Sequence, residues 1–186
     1  MGFCMFQPLA IPDVILITPK RHIDARGFFA ETFRADQYAA AGIAGPFVQD
    51  NQAFSEDKFV LRGLHYQIAP SAQAKLVTCT QGRIYDVAVD LRKTSTSFGT
   101  WVGVELSAEA GQQLYIPEGF AHGYLTLTTR CEVRYKVTDY YCPSDERGLA
   151  WDDPDLAITW PLDGEPPILS AKDVLLPKLN ALADVF

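Results

Sequence analysis

Apolar and polar positions alternate along most of this chain in short runs. That is the two-residue period of half-buried β-strands rather than the period of helices. KLVTCTQGRIYDVAVDLR reads as two strands turning at Gln81 and Gly82. TWVGVELS, QQLYIPEGFAHGYLTL, CEVRYKVTDYY and, near the end, LAITW read as further strands, with turn residues between them. Helical spacing is scarce. RADQYAAAGI, residues 34–43, predicts one helix closed by Gly42 and Gly45, and a second is expected around Leu175 to Leu182. No repeat, linker or biased tract interrupts the pattern, so a single domain over residues 1–186 is expected. Many short strands predict an all-β fold, a jelly-roll barrel or sandwich with a few short peripheral helices. A ligand of such a fold sits inside the barrel.

Period two also assigns faces. In CEVRYKV, Cys131, Val133, Tyr135 and Val137 share one face, which sends Tyr135 inward among apolar neighbours. Lys75 shares a face with Val77 and Cys79 in KLVTC, an unusual place for an ammonium group. In YDVAVDL, Tyr85, Val87, Val89 and Leu91 lie opposite Asp86 and Asp90. LRGLHYQ, residues 61–67, puts Leu61, Gly63, His65 and Gln67 on one face and Arg62 on the other. Arg62 and His65 can serve one pocket only through a bulge at Gly63 or a long arginine reach.

Composition narrows the function. Of the 186 residues, 48% are hydrophobic and 21% charged, which is globular and long enough for a core. A net charge of -7 argues against nucleic-acid binding through a basic face, yet leaves room for a small anion in a pocket of opposite field. Cys4, Cys79, Cys131 and Cys142 form neither a CxxC pair nor zinc-ligand spacing, so reduced thiols and a cytoplasmic location are expected. Phe6 stands where a myristoylation motif takes Ser or Thr. The start lacks a basic region, and Pro8 and Pro12 break its apolar run, so neither a signal peptide nor a membrane span is expected.

Few polar residues are candidates for chemistry. His22 lies among polar neighbours in KRHIDARGFF, while His65 and His122 each sit beside a glycine, in RGLHYQ and EGFAHGY. Glycine beside a polar strand residue often marks a close backbone approach. Taken singly, each residue has an ordinary explanation: a core histidine bonded to a carbonyl, a packing tyrosine at Tyr135, a strand-end Lys75, a helix-starting Asp173. A metal site of His65, Gln67 and His122 lacks an imidazole and is a poor donor set for a divalent transition metal.

Taken together, the motifs DARGFFAETF, QDNQ, LRGLHYQ, AKLVTCTQGRIYDVAVDLR, SFGTW, LYIPEGFAHGY, VRYKVTDYY, WDDPDLAITWP and LSAKD occur in this order, from about Arg26 to Asp173. In this set the chain resembles the dTDP-4-dehydrorhamnose 3,5-epimerases. The resemblance implies a cupin-like homodimer that uses no metal or organic cofactor. It implies inversion at C3 and C5 of a dTDP-4-keto-6-deoxyhexose, on the way to dTDP-L-rhamnose for surface polysaccharides. Relatives that invert C3 alone can keep the same histidine, tyrosine and aspartate, so product range stays open.

The resemblance also distributes roles. His65 would be the base, with Asp173 orienting it; an unperturbed imidazole titrates near about 6.5 and is available near neutrality. Tyr135 would return a proton to the opposite face, and Lys75 would stabilise the enolate oxygen, a contribution of about 3 kcal/mol for preorganised charge. Substrate binding falls to Arg26, Glu31, Gln49, Asp50, Asn51, Arg62, Lys75, His122, Glu146 and Lys172, with Phe28 and Tyr141 as stacking partners for the thymine. Arg26 and Glu31 would reach either their own site or that of the partner subunit. Ala53 in NQAFS is a small departure, since the family more often has Ser there.

Overall fold

The fold was determined as a computed structural model, which describes residues 4–43 and 45–186. Thirteen strands run in chain order among these residues: β1 (Cys4–Pro8), β2 (Ile15–Pro19), β3 (Arg21–Asp24), β4 (Gly27–Ala30), β5 (Gln49–Ser55), β6 (Leu61–Gln67), β7 (Lys75–Gln81), β8 (Arg83–Asp90), β9 (Trp101–Ser107), β10 (Gln113–Ile116), β11 (Phe120–Thr126), β12 (Cys131–Val137) and β13 (Glu146–Gly148). A short helix, α1 (Ala35–Ala40), separates β4 from β5. Two antiparallel sheets form, one ordered β1-β2-β10-β7-β12-β5 and the other β13-β6-β11-β8-β9, with β3 and β4 as a separate hairpin. This is the all-β, jelly-roll-like sandwich that the short strands predict.

Alternation explains why the sheets face each other. Val77 and Cys79 of β7, Leu114 and Ile116 of β10, and Cys131 and Val133 of β12 meet Ile84 and Ala88 of β8 in the core between the sheets, with Tyr135 packed against it. The other face of β7 and β10 offers Leu76 and Tyr115 to Tyr38 of α1. The other face of the second sheet offers Leu61, Leu64, Val87 and Val89 to the C-terminal segment through Leu149, Leu156 and Trp160. Both faces of β8 are therefore buried, which is why its sequence reads as nearly continuous apolar residues.

Three sequence expectations shift. LAITW is not a strand; Ala157 has a φ of 47° and the segment turns, while Leu156 and Trp160 still pack into the outer cluster. QQLYIPEGFAHGYLTL divides into β10 and β11 at Pro117 to Gly119, where Gly119 takes a φ of 89°. The expected C-terminal helix is instead two 3-10 turns, Asp173–Leu175 and Leu179–Ala181. Pro177 lies between them; it has no N–H to donate and disfavours helical backbone in the residue before it. All four cysteines are free thiols. No helix among the described residues is long and apolar enough to cross a membrane.

Candidate active site

The site begins with a phase change in β6. His65 pairs with His122 of β11, and Arg62 pairs with Tyr124, so two residues of β6 oppose Gly123 alone. This bulge resolves the question posed by LRGLHYQ: Leu61 and Leu64 face the outer cluster, while Arg62, His65 and Gln67 line one cavity. Glycine is required at the crossing. Gly63 has a φ of 117°, and a Cβ there would lie 2.7 Å from both the Gly123 Cα and the His122 carbonyl oxygen. At Gly123 a Cβ would lie 2.7 Å from the Arg62 carbonyl oxygen.

The cavity, about 610 Å³, opens between the two sheets. One wall comes from the six-stranded sheet, with Asn51 of β5, Lys75 of β7 and Tyr135 of β12. The facing wall comes from the five-stranded sheet, with Arg62 and His65 of β6, His122 and Tyr124 of β11, and Glu146 of β13. Lys172 and Asp173 close the rim from the C-terminal segment.

His65 Nε2 lies 2.7 Å from Asp173 Oδ1. Asp173 is buried, which by itself raises its pKa, but hydrogen bonds from His65, the Gly63 N–H and Ser170 hold the carboxyl below its usual range. With Asp173 accepting Nε2–H, the neutral ring carries its lone pair on Nδ1. Lys75 Nζ donates to the His65 carbonyl oxygen at 3.2 Å. Burial pulls this ammonium down to about 8, against the opposing charges of Asp86 and Glu146. Burial raises the Tyr135 phenol; Arg62 counteracts that and Glu146 reinforces it, so the phenol is protonated at neutral pH.

Around this centre, Tyr141 Oη donates to Glu146 Oε2 at 2.8 Å, and Lys172 Nζ reaches the same oxygen at 2.6 Å. Glu146 is pushed up by burial but held below its usual range by these two partners. Gln49 ties the loop to β5 by accepting from the Tyr141 N–H at 3.1 Å and donating to Asn51 at 2.9 Å. Arg62 Nη2 donates to the Phe54 carbonyl oxygen at 3.0 Å.

The expected residues divide cleanly. His65, Lys75, Tyr135, Asp173, Asn51, Arg62, His122, Tyr141, Glu146 and Lys172 all line the cavity, and Gln49 supports it from behind. Asp50 does not: period two turns it to the outer face of β5, where Lys136 Nζ donates to it at 2.8 Å. Arg26, Phe28 and Glu31 also lie outside the cavity lining. Arg26 is paired with Asp24 in the β3–β4 hairpin, Phe28 is 59% exposed beneath the Arg21 guanidinium, and Glu31 follows the hairpin. Period-two reading missed Asp86 and Tyr124. Asp86 is fully buried and bonds His122 Nε2 through Oδ1 at 2.9 Å; its signal was a carboxylate in the middle of a strand apolar on both faces.

The donor set does not fit a transition metal. The Gln67 amide, beside His65, is committed: Oε1 accepts from Cys142 N at 2.8 Å, and Nε2 donates to the Ser71 carbonyl oxygen at 2.6 Å. Among the described residues, no three His, Cys, Asp or Glu side chains cluster as metal ligands.

Comparison with known proteins bears on the same chemistry. A family model described as dTDP-4-dehydrorhamnose 3,5-epimerase matches residues 8–181. The chain is 51% identical over 172 residues to the dTDP-4-dehydrorhamnose 3,5-epimerase of Salmonella typhimurium, covering 92% of this chain and 93% of that one. It is 52% identical over 166 residues to the enzyme of the same name from Pseudomonas aeruginosa, covering 89% and 90%. The crystal structure of a dTDP-6-deoxy-D-glucose-3,5-epimerase from Legionella pneumophila, in complex with dTDP-4-keto-L-rhamnose, superposes with a TM-score of 0.92 at 47% identity, covering 96% of this chain and 94% of that one.

Proposed function

The chain belongs to the dTDP-4-dehydrorhamnose 3,5-epimerase family, and from that membership and the cavity we propose how its residues carry out the isomerisation. The substrate is dTDP-4-keto-6-deoxy-D-glucose and the product dTDP-4-keto-L-rhamnose, the precursor reduced in dTDP-L-rhamnose synthesis. The C4 ketone acidifies the protons on C3 and C5. His65 Nδ1 removes one, and the imidazolium formed is held by Asp173. The electron pair moves onto the C4 oxygen, where the Lys75 ammonium stabilises the enolate. Tyr135 returns a proton to the other face of the carbon, inverting it.

The observation that carries this reading is the placement of base and acid. His65, bonded to Asp173, belongs to one sheet, and Tyr135 to the sheet facing it across the cavity. A substrate ring between them meets a base on one face and an acid on the other, which inversion needs. No step requires a metal or an organic cofactor. Arg62 and Lys172 at the rim suit the pyrophosphate, and Tyr141 suits the thymine.

The hairpin residues Arg26, Phe28 and Glu31 serve the site of a neighbouring subunit in a homodimer. Ile23, Phe28 and Phe29 on that hairpin are 82%, 59% and 71% exposed in the single chain, which supports contact with a second copy. The test of the catalytic assignment is His65→Ala, with turnover followed alongside the thermal transition. Activity should be lost while the fold survives; undiminished activity removes the assignment.

A further inference from the structure

We propose that Asp86 is a positioning residue: from inside the sandwich it supplies the buried counter-charge of Lys75 and fixes the proton of His122 on Nε2. The kinetic part rests on the role of Lys75 proposed above. Ile84, Asp86 and Ala88 form one row of β8, each 0% exposed, on the face that packs between the sheets. A carboxylate there has left water, and such a charge persists only with partners. Its Oδ1 holds His122 Nε2 at 2.9 Å, and its Oδ2 has no hydrogen-bond partner among the described residues.

Lys75 is the matching buried cation, reaching in from the opposite sheet. Of the charged and titratable groups facing it, β6 contributes Arg62 and His65, β11 His122 and Tyr124, β12 Tyr135, and β13 Glu146; Asp173 stands behind His65. Glu146 is already engaged by Lys172 and Tyr141. Asp86 keeps its second oxygen uncommitted among the described residues. Burial works to discharge the Lys75 ammonium, and Asp86 heads the interactions that oppose it. Burial likewise holds His122 below the ordinary imidazole range in spite of Asp86. A neutral ring beside a carboxylate donates Nε2–H and keeps Nδ1 as an acceptor on a residue that lines the cavity.

The test is Asp86→Asn, which keeps shape and an acceptor for His122 but removes the charge. Lys75 is followed by carbon NMR of ε-labelled lysine, and kcat/KM is measured from pH 6 to 9. Lys75 should titrate at least about one pH unit lower than in the unsubstituted protein. The alkaline limb of kcat/KM should move with it while the acid limb stays. Activity should fall far more at pH 8 than at pH 6.5. An unchanged Lys75 titration with a loss equal at every pH overturns the inference. A titration that moves while the rate profile does not upholds the counter-charge and removes Lys75 from the proposed chemistry. Nitrogen NMR of the unsubstituted protein needs no variant to fold: His122 should be protonated on Nε2 through neutral pH, and the Nδ1–H tautomer there contradicts the proposal.

Discussion

His65 and Asp173 stand 108 positions apart in the chain and 2.7 Å apart in the fold. The bulge at Gly63 aims the imidazole into the cavity, and the 3-10 turn Asp173–Leu175 brings the carboxylate to it, with the Asp173 N–H donating to Ser170 Oγ at 3.1 Å. In the proposed mechanism Asp173 fixes the tautomer with Nδ1 unprotonated and stabilises the imidazolium. Asp173→Asn should cost about 10²- to 10⁴-fold in kcat/KM with the fold preserved. A loss under tenfold would mean the imidazole is oriented by something else.

Tyr135→Phe should lower turnover less completely than removal of His65, because water can return the proton in place of the phenol. Proton removal itself is upstream, so wash-out of the C3 and C5 protons into deuterated solvent should persist better than product formation. Full double epimerisation in this variant would take the acid role away from Tyr135.

The enolate role proposed for Lys75 predicts the alkaline side of the pH profile. Its ammonium titrates near about 8, lowered by burial, so the charge is present below that pH and lost as pH rises through it. kcat/KM should therefore decline above about pH 8. Lys75→Met should cost about 10²- to 10³-fold at pH 7 and remove that limb. A profile flat to pH 10 in the unsubstituted protein would contradict the assignment.

Gly63→Ala tests the bulge. The φ of 117° and the 2.7 Å approach to backbone of β11 leave no room for a methyl group. Strain of that kind costs about 1–3 kcal/mol, so the thermal midpoint should fall by about 2–12 °C. Activity should fall further than stability explains, since Arg62 and His65 are aimed through this residue. Unchanged stability and activity would show that β6 can carry the phase change without it.

Much of this was legible in the sequence because the two-residue period is local. It sent Tyr135 and Lys75 inward, and the structure places both on the cavity wall. It also separates Asp50 from Asn51, since neighbours on a strand cannot share a face, so QDNQ does not act as one binding stretch. Asp86 carries a weaker signal: Ile84 and Ala88 share its row, but Asp86 and Asp90 together give that row the look of a polar face, and the C-terminal segment packed on the far side of β8 makes both faces interior. The meeting of His65 with Asp173 has no local signal, because it depends on how a segment without regular strands returns across β6. That pairing entered through the resemblance, and LAITW misled for a related reason: its apolar residues pack without forming a ladder.

The most direct measurement is proton NMR of dTDP-4-keto-6-deoxy-D-glucose incubated with the protein in heavy water, in the presence of a chelator. Deuterium should enter at both C3 and C5, with inversion at both and no requirement for metal. Deuterium at C3 alone would make the protein a 3-epimerase of another deoxysugar route. No exchange at either carbon, or exchange abolished by the chelator, would contradict the His65–Tyr135 account.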